Sequence, residues 1–186
     1  MMKKLIAGVL CVMLLSGCVS AMAEETGKTH LGTLEVADAF TLQCRLPDDY
    51  QVDVMYNNPD YHVAVIYSED EDKPQMYLSI AFDELLAGVE RLNDLDDEAL
   101  AQVEETFREE DKVEITHLYT SHGTKLLMVK EVENGISYVD FYTIYLGYQI
   151  EIVMNYGTGF EDRAITEKQI EIAVDFLSDL DFIPAS

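Results

Sequence analysis

Five groups of side chains in this sequence could do chemistry. Tyr138, Tyr142, Tyr145 and Tyr148 crowd two adjacent predicted strands, where parity puts Tyr138 and Tyr142 on one face and Tyr145 on the other. Exposed, such a face binds a peptide, a glycan or a partner protein, because a phenol joins apolar area to a hydroxyl. Buried, the same rings are the core of a sheet and its partly wet second face. Cys44 could be a nucleophile beside a suitable base. Its strand phase groups it with Phe40, Leu42 and Leu46, so a core thiol is expected. His117 and His122 fall on opposite faces of a regular strand and would share a metal ion only if a turn bent them together.

The acidic runs at 69–72 and 94–98 invite calcium, which needs several oxygens converging at short range. Neither matches the D-x-D/N-x-D/N-G pattern, and consecutive carboxylates on a strand or helix diverge. They read as a solvated hairpin loop and as a helix start favoured by the macrodipole. A calcium-binding extracellular module stays as an alternative. No G-x-S-x-G, Gly-rich phosphate loop, HExxH or CxxC occurs, and no cofactor or metal is expected. The enzymatic alternative is a hydrolase whose site assembles from distant segments.

Cys18 is the residue for which chemistry is a better reading than packing. Lys3 and Lys4 precede an uncharged apolar run over residues 5–15, the layout of a bacterial export signal and too short to span a bilayer. The following "LSGC" resembles the lipobox of bacterial lipoproteins, in which the cysteine sulfur is acylated and becomes the new N-terminus. The alternative is an ordinary signal-peptidase cut after Ala23 in "AMA". Residues 1–17 or 1–23 are then the signal, and the chain is lipid-anchored on the cell surface or, alternatively, secreted.

The chain carries a net charge of −24, and loss of residues 1–17 removes two lysines and no acid, which makes it −26. That surface disfavours nucleic acid and anionic lipid, so contact with a membrane is expected only through Cys18. Cys11 lies in the signal, which leaves Cys44 as the one cysteine of the expected domain at 33–186, without an internal bridge. The roughly 165 remaining residues suffice for one domain that buries about 70 per cent of its unfolded surface.

The elements that must hold these groups follow from periodicity. Residues 18–32 read as a tether, and 33–186 as one domain. Phe40, Leu42, Cys44 and Leu46 alternate with polar residues, a strand stopped by Pro47. "YQVDVMY", "YHVAVIY" and "QMYLSIAF" are further strands, separated by the "NNPD" turn and the "SEDEDKP" loop. "DELLAGVERL" reads as a short helix. A second helix starts from the N-cap Asp96, with Leu95 and Leu100 as a hydrophobic staple and Leu100, Val103 and Phe107 as its stripe. Residues 113–156 read as a four-stranded meander with glycine at each turn. Thr166 and Gln169 form a capping box for a last helix with Ile170, Ala173, Val174 and Leu177 on one side. Strands, helix, strands, helix predicts an α+β domain with helices laid on one antiparallel sheet.

This pattern resembles the PsbP-like, or Mog-type, fold of small exported bacterial proteins. The resemblance runs from Ala39 to Phe182 through "LPDDYQV", "GTKLLMVKEVENG", "YTIYLGYQIEI", "TEKQI" and "LSDLDF". It departs at Tyr50, where many relatives carry tryptophan; this chain has none. The resemblance implies a non-enzymatic accessory or binding module. Better-known relatives assist a photosynthetic complex or bind a small GTPase, and neither partner fits an exported chain. The expectation is a non-catalytic cell-surface module for a protein, peptide or envelope ligand, with Tyr138 and Tyr142 as the candidate face. Self-association through an exposed sheet edge is a further alternative.

Overall fold

A computed structural model describes residues 29–70, 72–108, 112–132, 136–155 and 164–185. The signal, Cys18, the turn at 133–135 and Tyr156 lie outside them. The strands are β1 (Thr29–Val36), β2 (Phe40–Pro47), β3 (Tyr50–Asn58), β4 (Tyr61–Ser68), β5 (Gln75–Phe82), β6 (Val113–Tyr119), β7 (Lys125–Val132), β8 (Ile136–Tyr145), β9 (Tyr148–Asn155) and β10 (Asp181–Pro184). The α-helices are α1 (Asp97–Phe107) and α2 (Glu167–Leu177). The architecture is mixed and dominated by antiparallel sheet.

There are two sheets where one was expected. β1, β2 and β10 form a three-stranded sheet in the order β1-β2-β10, and the other seven strands run β3-β4-β5-β9-β8-β7-β6. The alternation in β2 is as read, with Phe40, Leu42, Cys44 and Leu46 buried. Alternation specifies that a strand has a buried face, not which strands lie beside it. Here that face joins one apolar cluster with Ile150 and Ile152 of the large sheet and Ile170, Ala173 and Phe176 of α2.

Three local readings are corrected. Residues 29–32, assigned to the tether, are the first half of β1, where Gly32 opposes Cys44. Gly32 interrupts the apolar alternation of β1; a Cβ there would stand 2.9 Å from Leu46 Cδ1, the movable end of a buried side chain. The end of "LSDLDF" leads into β10 rather than ending a helix, and Phe182 is buried opposite Leu42. "DELLAGVERL" is not a helix: a single 3₁₀ turn, Glu84–Leu86, is capped by Asp83, and a second turn follows at Leu92–Asp94. The carbonyls of Val89 and Glu90 instead accept from Gly147 and Leu146 N–H at 3.0 and 2.8 Å, which ties this segment to the β8–β9 turn. Gly147 has φ +80° and approaches Ala87 Cα, so the tie depends on a residue without Cβ.

Both helix starts are as read. Asp96 accepts from Ala99 N–H at 2.8 Å. Thr166 and Gln169 make the reciprocal capping box. A second apolar cluster, Leu92, Leu100, Leu127, Val129, Tyr142 and Ile144, lies on the other face of the large sheet, with Val103 and Phe107 of α1 packed against it. The β6–β7–β8 part of the sheet is thus covered on both sides.

His62 is a buried polar residue beside the first core. It is 0 % exposed on the same face of β4 as Ala64 and Ile66, and neither ring nitrogen has a hydrogen-bond partner among the described residues. Burial holds its pKa below the ordinary imidazole value, so the folded ring is neutral and the unfolded chain binds the proton more readily. Its contribution is therefore intact above about pH 6.5 and falls as pH drops from there through the lowered folded value. Glu151 has the opposite sign, since burial raises its pKa, so the difference between two variants isolates the histidine. His62→Leu is expected to stabilise the protein by about 1–3 kcal/mol in urea unfolding, because it removes an unsatisfied buried polar group. It should also reduce the loss of stability between about pH 6.5 and pH 5. An unchanged pH profile would assign that loss to other groups.

Candidate functional site

The second face of the large sheet carries the candidate site. Strand pairing aligns Asp53, Val65, Tyr77, Val153 and Asp140 in one cross-strand row. The next row is Tyr56, Val63, Ser79, Glu151 and Tyr142. α1 and the turns before it cover only the β6–β7–β8 part of this face. Their apolar cluster includes no residue of β3, β4, β5 or β9 among the described residues. The open part presents Val63, Tyr67, Tyr77, Glu151 and Val153, all half-buried.

Tyr138 and Tyr142 sit at the seam between the covered and open parts. Tyr142 is 5 % exposed, with its ring 5.3 Å from that of Phe107 in an edge-to-face contact, so a ligand reaches it only if α1 moves. Tyr138 is half-buried and donates to Asp140 Oδ2 at 3.2 Å. Tyr145 lies in the opposite core, its ring stacked on Phe182 at 4.8 Å. The structure therefore places Tyr138 and Tyr142 on a common face with Tyr145 on the other, and it separates the two candidates by exposure. Strand parity alone could have added Tyr67, Tyr77 and Glu151, whose alternation on β4, β5 and β9 is visible in the sequence. It could not show which part of the face a helix covers.

The electrostatics at the seam keep the phenols protonated. Burial first, and then the Asp140 and Glu151 carboxylates, push the Tyr138 pKa far up; for Tyr142 the order is burial, Glu151, Asp83 and Asp140. Burial also raises Tyr77. Gln75 Nε2 donates to the Tyr77 hydroxyl at 3.1 Å, and the Tyr67 hydroxyl donates to Gln51 at 3.2 Å. The face thus offers aromatic area, phenol donors and carboxylate acceptors side by side, a composition suited to recognising amide and hydroxyl groups by contact.

The remaining candidates are placed elsewhere. Cys44 is buried, and burial, with a smaller effect of Asp179, pushes its thiol up to about 12, away from the reactive thiolate. His117 Nε2 lies 2.7 Å from Glu104 Oε1, whereas His122 Nδ1 faces Asp181 Oδ2 at 3.7 Å, so the turn does not bring the two rings together. Among the described residues no three His, Cys, Asp or Glu side chains converge as metal ligands. In the 94–98 run Asp96 is spent on the helix cap.

One groove of about 360 Å³ on the small sheet gathers Arg45, Ser121, His122, Asp179 and Asp181. Ser121 Oγ donates to Asp179 at 3.2 Å, while His122 faces the other aspartate. The serine is therefore paired with a carboxylate rather than with an imidazole base, unlike a nucleophile–base pair. Comparison with models of protein families, with curated proteins and with solved structures finds no match for this chain.

Proposed function

We propose that the mature chain is a non-catalytic, extracytoplasmic binding module of PsbP-like, Mog-type architecture. It is tethered by a lipid on Cys18 and takes a protein or peptide partner on the open part of the large sheet. The observation that carries this reading is the division of one sheet face. α1 shields the β6–β7–β8 part, while the β4–β5–β9 part keeps Tyr67, Tyr77 and Val153 half-buried beside Glu151. The charge of −24 favours partners other than nucleic acid.

The test pairs folding with capture. Tyr67→Ala combined with Tyr77→Ala is expected to leave a cooperative thermal transition, because half-buried rings cost about 1 kcal/mol each. The same variant should lose the envelope partners that the unmodified mature domain captures. Undiminished capture would overturn the face assignment. Intact-mass measurement tests the anchor: a diacylglycerol-bearing N-terminal Cys18 supports it, and an unmodified chain beginning at Glu24 makes the protein secreted.

A further inference from the structure

Exposed apolar side chains are concentrated at one end of this protein. Seven large hydrophobic residues are exposed among the described ones, and five of them are Met55, Tyr56, Tyr61, Phe82 and Leu85, the last 91 % exposed. Pairing sets Tyr56, Tyr61 and Phe82 at the end of the large sheet where the β3–β4 hairpin turns and β5 leaves; Met55 precedes Tyr56, and Leu85 lies in the 3₁₀ turn three residues beyond Phe82. Asn58 opposes Tyr61, Tyr61 opposes Ala81, and Phe82 opposes Tyr148. The Tyr56 and Tyr61 rings meet at 5.9 Å, and Phe82 N–H donates to the Asp60 carbonyl at 3.0 Å. The pairing shifts between Val54 and Tyr56, so Met55 is the extra residue of a bulge, a feature that re-aims side chains at a sheet edge.

The other end is different. There Tyr50 opposes Ser68, and the exposed residues include Asp48, Asp49, Glu69, Asp70 and Asp72. β1 also begins there: Thr29 opposes Pro47, three residues before β3 starts at Tyr50. The chain that leads back to Cys18 therefore enters at the acidic end.

We propose that the Tyr56–Leu85 end is a docking surface for a protein segment that presents apolar anchors among lysines or arginines. Partner chemistry follows from charge. Asp60, Glu84 and Glu90 are exposed near the apolar residues, while the Arg91 guanidinium lies 5.8 Å from the Tyr145 ring. A basic segment neutralises these acids as its apolar anchors are buried. A second copy would set the same acids face to face on chains of charge −24, and an anionic lipid surface would repel them likewise.

The test uses the isotopically labelled mature protein and two short amphipathic helical peptides, one of leucine and lysine, the other of leucine and glutamate. The lysine peptide is expected to shift resonances confined to residues 53–63 and 81–90, and the glutamate peptide to shift none. Tyr56→Ser combined with Leu85→Ser keeps the net charge and alters only exposed side chains. It should weaken lysine-peptide binding by about tenfold or more, whereas Tyr77→Ser on the open sheet face should not. Shifts spread over the whole acidic surface would reduce the effect to bulk charge and overturn the proposal. Weakening by Tyr77→Ser alone would move the site to the sheet face, sparing the binding-module reading while removing this one. Binding of phosphatidylglycerol vesicles, or self-association in sedimentation, that the double variant abolishes would assign lipid or a second copy instead, and likewise overturn it.

Discussion

Replacing Phe40 with alanine is expected to lower the unfolding free energy by about 3–5 kcal/mol, among the largest effects of any single substitution here. The ring is 2 % exposed and lies edge-on to Tyr145, Tyr148 and Phe182 at 5.0, 5.4 and 5.8 Å. Those partners belong to β8, β9 and β10, so Phe40 links the small sheet to the large one. Removing it takes away transfer energy and three aromatic contacts and leaves a cavity that relaxed neighbours fill only in part. Circular dichroism in urea suits the measurement, since the chain has no tryptophan. A cost below about 1 kcal/mol would mean that the sheets do not share a core in solution.

The second large effect is at Tyr142, expected to cost about 3–5 kcal/mol on truncation to alanine. Its ring is clamped between the sheet and Phe107, and it shares its cluster with Leu100 of α1 and with Leu127. Truncation therefore opens a void beneath the helix. Tyr77→Ala, on the open part of the same face, should cost only about 1 kcal/mol. That contrast reads out the division of the face directly. Equal costs at the two positions would show that α1 does not hold its place over β8, and Tyr142 would return to the candidate binding surface. Tyr142→Phe should keep most of the stability, because the ring supplies most of the packing.

Much of this fold was legible because it is written in short-range signals. The two-residue alternation of Phe40, Leu42, Cys44 and Leu46 is enough to specify a strand and its inward side chains. The hairpins of β3, β4 and β5 announce themselves by alternation broken at "NNPD" and "SEDEDKP". Asp96 and Thr166 mark their helices because an oxygen at that position satisfies N–H groups that the first turn leaves unpaired. The separation of Tyr142 from Tyr145 follows from parity alone. Each of these signals is decided within about one turn of backbone.

Other features depend on where distant segments meet. β2 reads the same whether it joins the large sheet or faces it. Only its pairing with β1 and β10, and the packing of Phe40 on Tyr145 and Tyr148, decides the matter. β10 is four residues long and has no period to detect until Phe182 finds Leu42. Residues 84–90 carry helix-forming side chains, yet carbonyls at 89 and 90 accept from a turn nearly sixty residues away. The exposure that separates Tyr77 from Tyr142 likewise depends on the path of residues 83–107 over the sheet. The sequence by itself determined the period, the inward faces and the caps, because backbone geometry and local hydrogen bonding dictate them. The tertiary structure decided which strands are neighbours and which half of a face stays open, because burial is settled among groups far apart in the chain.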